Sequence, residues 1–341
     1  MKALVTGATG CVGANVVAAL AELGYSVRAM HRSTSPLVAL EELPVERVVG
    51  DLFDRDSLVQ AMAGCALVFH VAAVSDYWRT PAATIYRVNV EGTRNVAQAA
   101  LAAGVERLVY TSSIGALGAP EDGRLLDERA VFNLPAQRFP YGHSKHLAEE
   151  VVREVLGQGL DAVIVNPAGV MGPRDVHWIG GSLLREVQRG WAWVAPPGGL
   201  CWAAAVDVGL GHVLAAERGR TGERYLLGGE NLSHRQVQEI VATVVGGRQP
   251  VATLPGPAML PLAAITGSIG RLLPRPLPFS AEQVWLSARH IYCDSSKALQ
   301  ELGYPQTPFR VAVEQAYAWY LARGLLTPAT APRVAQGHTR R

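Results

Sequence analysis

Cysteine is scarce and scattered: four in 341 residues, at Cys11, Cys65, Cys201 and Cys293, with no Cys-x-x-Cys pair and no metal-ligand spacing. That excludes a disulfide framework or a zinc site, and a reducing cytoplasm is the expected compartment. A charge of one sign is lacking too, since 31 Lys plus Arg face 29 Asp plus Glu for a formal net charge of +2. No global field exists to draw in nucleic acid or an anionic membrane, so partners belong to local sites. Long apolar runs are also missing. The most membrane-like stretch, Ala258–Ile269, is broken by Pro261 and Gly267 and followed by Arg271, short of the roughly 18 residues of a spanning helix. It reads as a buried or lid helix. Gly7 interrupts the opening run before it reaches signal-peptide length, so no secretory leader is expected. What is present is a chain 49% hydrophobic and 18% charged, able to bury a full core and incompatible with intrinsic disorder.

Short β-branched runs at Ala3–Thr6, Ser26–Met30, Glu46–Val49, Leu67–Val71, Arg107–Thr111 and Ala162–Asn166 read as strands. Helical patterns at Val12–Leu23, Asp56–Ala63, Thr84–Ala103 and Tyr141–Leu156 fall between them. Such alternation predicts an α/β fold, a Rossmann-type doubly wound parallel sheet. After Asn166 the regularity breaks, glycine and proline cluster, and tryptophan stands at 178, 191, 193 and 202. We read residues 1–166 as a dinucleotide-binding domain and 167–326 as a smaller, interleaved C-terminal substrate-binding lobe. Trp202–Val206 and Arg224–Leu227 are expected to supply late strands of the sheet, and 327–341 to form a loose tail.

Thr6-Gly7-Ala8-Thr9-Gly10-Cys11-Val12-Gly13 lies between the first strand and first helix. There, backbone N–H groups and the positive end of the helix can meet a pyrophosphate. At the end of the second strand, Met30-His31-Arg32 holds no acid to take the adenosine ribose hydroxyls of NAD; Arg28, Arg32, Ser33 and Thr34 instead offer donors for a 2′-phosphate. Arg28 lies within the strand, so Arg32 at its exit, with Ser33, is the better candidate. Asp51, after the third strand, is placed either to accept from the adenine amino group or to cap a loop.

Tyr141 and Lys145 stand four apart at the start of a helical pattern, so both point to one face. An ammonium beside a phenol favours the phenolate and brings its proton closer to working pH. Tyr141 is thus the candidate acid and Lys145 its tuner. Ser113 closes Tyr110-Thr111-Ser112-Ser113 at the carboxyl edge of the fifth strand, where its hydroxyl can hold a substrate oxygen.

Together with Gly50-Asp51-Leu52, Phe69-His70-Val71-Ala72-Ala73, Asn89-Val90-Glu91-Gly92-Thr93 and Asn166-Pro167, these motifs resemble the extended short-chain dehydrogenase/reductase superfamily over nearly the whole chain. The runs Val27–Arg32 and Val165–Pro173 are similar to its branch of dihydroflavonol 4-reductases, 3β-hydroxysteroid dehydrogenases and hopanoid-associated sugar-epimerase-like proteins. The resemblance implies an NADP-dependent carbonyl reductase or alcohol dehydrogenase with Ser113, Tyr141 and Lys145 catalytic. It further implies that Leu52, Val71, Ala72, Ala73 and Thr111 line the cofactor, that Lys145 also bonds the nicotinamide ribose, and that Pro167 borders the nicotinamide amide. His70 is expected to be a satisfied core histidine, Asn89 a brace between neighbouring strands, and Asp207 a helix N-cap.

The expected substrate is a largely apolar small molecule. Val74, Ser75 and Trp78 after the fourth strand, Ser113, and Trp178 after the sixth are its expected contacts. A diphosphate would need basic partners, for which Arg174, Arg185 and Arg189 are the candidates. The alternatives are a nucleotide-sugar epimerase or dehydratase with tightly held NAD(P), and a non-enzymatic dinucleotide sensor, which has no need of a tuned proton donor. The sequence leaves substrate, direction and oligomer open, a homodimer included.

Overall fold

The computed structural model describes residues 1–120, 123–262, 264–265 and 281–328. Its centre is a seven-stranded, wholly parallel sheet. The strands are β1 (Lys2–Thr6), β2 (Ser26–His31), β3 (Glu46–Val49), β4 (Leu67–His70), β5 (Arg107–Thr111), β6 (Ala162–Pro167) and β10 (Arg224–Leu227), in the spatial order β10-β6-β5-β4-β1-β2-β3. The inner strands are buried over nearly their whole length and mostly apolar because both faces are covered. Ala3 and Val5 join the core on one side while Leu4 joins the other, and Leu108 and Tyr110 face opposite Val109. One face is packed by α1 (Cys11–Glu22) and α7 (Ala205–Arg218), the other by α2 (Arg55–Met62), α4 (Gly92–Ala102) and α5 (Pro140–Leu156). A Cβ on Gly209 of α7 would lie 2.4 Å from the Asn15 carbonyl of α1, so the two helices meet backbone to backbone.

Two sequence expectations change here. Arg224–Leu227 does extend the main sheet, but the strand around Trp202 is β9 (Gly199–Ala204), which ends before Val206 and belongs to a second sheet. In that sheet β9 pairs with β7 (Gly169–Met171), β11 (Glu230–Ser233) and the short strand His290–Ile291. Asp207 does not cap α7; it sits in the first turn and its carboxylate accepts from the Thr307 backbone N–H (2.5 Å) and hydroxyl (2.9 Å), tying a distant loop to the helix. The second lobe closes over α6 (Ser182–Gln188), α8 (His234–Val245) and the helix Phe309–Ala322, with Val187, Val241, Phe309 and Tyr320 in its core. Only part of the apolar stretch 258–269 falls within the described residues, where Met259 is buried and Leu260 and Ile265 are exposed. Residues 329–341 of the expected tail lie outside them.

The long helix expected over 84–103 is three pieces: α3 (Ala82–Tyr86), one wide π turn at Arg87–Glu91, and α4. Hydrophobic periodicity does not register a single widened turn. That turn carries Asn89, whose side-chain oxygen accepts from Val74 N–H (2.8 Å) and whose amide donates to Val74 O (3.1 Å) and Ser144 Oγ (2.9 Å). Asn89 therefore braces the loop after β4 against α5.

Two fully buried imidazoles join sheet to helices. Thr93 Oγ1 donates to the Asn89 carbonyl (2.7 Å), so it accepts from His70 Nε2–H (3.0 Å), and His70 Nδ1 accepts from the Thr6 hydroxyl (2.8 Å). Thr6 Oγ1 in turn accepts the N–H groups of Val71 and Ala72, both at 3.2 Å. His70 is the satisfied core residue its position suggested, with the tautomer set by this network. His212 on α7 lies against the Val208 carbonyl (2.7 Å) and the Thr111 hydroxyl (2.9 Å). Burial holds His70 down to about 3, with the Lys145 charge adding to the effect, and His212 down to about 4. Both stay neutral in the folded protein while the unfolded chain takes up protons below about 6.5, so stability falls as pH drops through that window. Urea unfolding should show a loss of about 1.5–2 kcal/mol per histidine between pH 7 and pH 5; a flat profile over that interval would contradict the neutral assignment.

Candidate active site

The strand order turns about between β1 and β4, and at such a point the loops leaving the carboxyl ends diverge and open a crevice. The glycine loop leaves β1 there. Gly7 has φ +64°, and a Cβ on it would lie 2.6 Å from the Ala72 backbone; one on Gly13 would lie 2.2 Å from the Gly7 carbonyl. These two glycines serve the protein's own close packing. Gly10 is different: nothing but the Gly7 carbonyl, at 3.5 Å, lies near its missing Cβ. Gly10 is also the N-cap of α1, with no side-chain cap and no acid in the first turn. A helix N-terminus left uncapped beside an open backbone fits a pyrophosphate.

The other candidate cofactor residues surround this loop. Arg32 and Ser33 are exposed at the exit of β2, which pairs with β1, and no carboxylate among the described residues pairs with Arg32. Arg28 is turned away, its guanidinium spanning Glu46 (2.9 Å) and the Ala61 carbonyl (2.7 Å). Asp51, an exposed residue, follows β3 and accepts from Phe53 N–H (2.9 Å) as a loop cap. Leu52 packs against α4 at Gly92, and its carbonyl takes the Asn95 amide (2.9 Å). Thr9 is buried in the loop and Val12 packs on the core. Cys11 is turned to the Pro173 carbonyl, and burial pushes its thiol well up. Thr6 and Thr111 give their hydroxyls to the buried histidines. Val71 and Ala72 are half-buried, Ala73 is exposed, and Pro167 ends β6 beside Leu227.

Ser113 and Tyr141 converge, while Lys145, one helical turn on, is engaged with the end of β5. Ser113 stands at the turn after β5, its Oγ accepting from Gly115 N–H (3.1 Å) and lying near enough to the Tyr141 phenol to act on its proton. Burial raises the phenol above its usual value and the Ser113 hydroxyl pulls it back. Pro140 opens α5 at the position where a missing N–H costs nothing, which sets Tyr141 in the first turn. One turn on, Lys145 donates from Nζ to the Thr111 carbonyl (2.7 Å) and lies 3.5 Å from the Tyr110 hydroxyl. Burial drops its ammonium to about 7, opposed by the Glu149 carboxylate. In this geometry Ser113 is the phenol's neighbour, whereas Lys145 is held to the sheet.

Glu149, one further turn along, went unremarked in the sequence. It is fully buried: Oε1 accepts from Ser112 Oγ (2.6 Å) and the Asn166 amide (2.8 Å), while Oε2 meets Arg153 (3.0 Å) and Arg224 (3.3 Å). The signal was the continued spacing of four from Tyr141 through Lys145. Tyr77 belongs to the aromatic loop expected after the fourth strand, but its contact with Tyr141 was not foreseen. Its ring stacks on Tyr141 (5.8 Å, 17°) and meets Phe139 edge-on (5.4 Å), and Trp78 packs edge-on to it in turn (5.3 Å). Val74 is fixed by Asn89, and Ser75 and Trp78 are half-buried. Trp178 stacks on Tyr320 (4.3 Å, 8°) and carries the Arg185 guanidinium at 4.7 Å, so its ring is engaged within the second lobe.

Residues 3–228 match the model of the NAD dependent epimerase/dehydratase family. The chain is 40% identical over 329 residues, 94% of each protein, to a protein of Synechocystis sp. carrying the name dihydroflavonol 4-reductase. It is 35% identical over 330 residues to sterol demethylase protein B of Methylococcus capsulatus, covering 96% of this chain and all of that one (100%). Among solved structures, gox2253 superposes with a TM-score of 0.84 at 37% identity, over 96% of this chain and 99% of that one. A nucleoside-diphosphate-sugar epimerase from Pseudomonas aeruginosa follows at 0.79 and 26%, with the same coverage of both. No helix among the described residues is long and apolar enough to cross a membrane. The chain belongs to the NAD-dependent epimerase/dehydratase family of extended short-chain dehydrogenases/reductases, whose members work as oxidoreductases or as epimerases and dehydratases.

Proposed function

We propose that the protein is an NADP(H)-dependent oxidoreductase that moves hydride between nicotinamide and a carbonyl or secondary alcohol carbon of a largely apolar small molecule. The observation that carries this reading is the convergence of the Ser113 hydroxyl and the Tyr141 phenol at the carboxyl ends of the strands, walled by the Tyr77 and Phe139 rings. When bound, the nicotinamide supplies or takes up the hydride. Tyr141 holds the proton at its phenolic oxygen and gives it to the substrate oxygen, or takes it back in the reverse direction. Ser113 orients both oxygens, and the aromatic wall excludes water from the transfer. Lys145, anchored on the Thr111 carbonyl, would hold the nicotinamide ribose.

Of the basic residues that a sugar diphosphate would need, Arg174 donates to the Ala39 carbonyl (2.8 Å), Arg185 lies over Trp178, and Arg189 is exposed beyond the end of α6 beside Trp191. The name of the Synechocystis relative, a reductase, supports the same reading. Arg32, exposed at the β2 exit with no acid in the place where NAD would want one, supports NADP over NAD.

Tyr141→Phe should retain cofactor binding while turnover falls by about two orders of magnitude or more, the usual share of general acid catalysis. Steady-state rates with NADPH across a panel of ketones, aldehydes and nucleotide sugars test this, and a near-parental rate would sink the assignment. Turnover of a nucleotide sugar without net change in NADPH absorbance would replace the reductase reading by the epimerase one. Titration of both dinucleotides by intrinsic fluorescence should show NADPH binding more tightly. In Arg32→Ala that preference should shrink by about tenfold to a hundredfold, the worth of one charge-assisted contact of about 1.5–3 kcal/mol. Equal affinities in the parent would contradict the NADP assignment.

A further inference from the structure

Trp191 and Trp193 are 61% and 56% exposed, and Val251 beside them 71%. Three large apolar side chains grouped so openly are unusual on a surface that otherwise buries its tryptophans. The grouping is built by the backbone. The strand β8 (Val194–Ala195) pairs in parallel with the strand Ala252–Thr253, and Val251 N–H donates to the Trp193 carbonyl (2.8 Å). Trp193 and Val251 are thus neighbours at the start of a two-stranded ladder.

The surround of this patch is basic. Arg189 lies over the Trp191 ring at 5.2 Å, and exposed Arg248 reaches within 3.9 Å of a Cβ placed on Gly190. The acid on α6, Glu186, is half-buried and burial raises its carboxyl. Arg185 and Arg189 line a hollow that Pro328 also borders. The sequence beyond Pro328 adds Arg333, Arg340 and Arg341 with no Asp or Glu.

Indole rings suit the boundary between headgroups and acyl chains, and flanking arginines suit anionic headgroups. We propose that the face of Trp191, Trp193 and Val251, with Arg189 and Arg248, docks the protein on an anionic phospholipid surface without spanning it. Charge complementarity is what selects this occupant: a chain with a net charge of only +2 concentrates cations around its exposed tryptophans. The face lies at the far end of α6 from the Trp178 segment. A seven-residue helix separates them, roughly 10 Å at 1.5 Å per residue.

The test is cosedimentation of the full-length protein with vesicles, with no substrate or cofactor present, so its outcome is independent of the proposed reaction. Vesicles of equal parts phosphatidylcholine and phosphatidylglycerol should bind the protein with a blue shift of tryptophan emission, and vesicles of phosphatidylcholine alone should bind it much less. The partition coefficient should drop about tenfold or more in Trp191→Ser/Trp193→Ser, and by a similar factor in Arg189→Gln/Arg248→Gln. Both variants should keep the parental circular dichroism and melting temperature. Failure of the parent to bind anionic vesicles overturns the proposal, as does undiminished binding by the folded tryptophan variant. A parental dimer in sedimentation velocity that the tryptophan variant loses would make the face a contact between two copies and likewise overturn it.

Discussion

The arrangement of the site rests on one carboxylate with no access to solvent. Glu149 takes hydrogen bonds from the end of β5 through Ser112 and from β6 through Asn166, and ion pairs from β10 through Arg224 and from its own helix through Arg153. Asn166 also donates to the Ser113 carbonyl (3.0 Å), so the same cluster fixes the backbone that presents Ser113. A buried charge of this kind is tolerated only when every oxygen is matched, and removing one partner leaves a cost of about 3–5 kcal/mol. The consequence is rigidity at the point where three strands and a helix must agree.

A second constraint runs parallel to it on the other side of the crevice. The chain from Thr6 through His70 and Thr93 to Asn89 links β1, β4 and α4, and Asn89 then fixes Val74 and reaches Ser144 on α5. The glycine loop, the loop after β4 and the helix of Tyr141 are therefore positioned by one continuous set of neutral hydrogen bonds. With no charge in it, this network lies close to Lys145 without competing for its proton, and the Lys145 charge itself helps keep His70 neutral.

The parallel sheet was legible because its strands are short, largely apolar on both faces and punctuated by glycine; all six early strands, Ala162–Asn166 included, were placed to within a residue at each end. The wide turn at Arg87–Glu91 was not, since one extra residue per turn leaves the apolar spacing almost unchanged. The second sheet was misread at Trp202–Val206 because a strand paired outside the main sheet has the same local pattern as one inside it. In the site, the glycine loop and the Tyr141–Lys145 pair announce themselves by fixed local spacing. Tyr77 does not: its stacking on Tyr141 brings together residues 64 positions apart by sequence numbering, which only the tertiary fold discloses. Arg28 and Arg32 looked alike as cations, and their strand positions separated them, one turned onto Glu46 and the other left open.

The electrostatics of the pair also favour one form of the phenol in the resting protein. Burial raises Tyr141 and lowers Lys145 to about 7, so desolvation pushes both toward their neutral forms. Ser113 opposes the first shift and Glu149 the second, but Ser113 is a neutral donor and Glu149 stands a turn beyond the lysine. In the resting protein burial therefore favours the protonated phenol and the neutral amine together. In the resting geometry Lys145 is anchored on the Thr111 carbonyl, so whatever charge it carries is fixed to the end of β5, the strand from which Ser113 also rises.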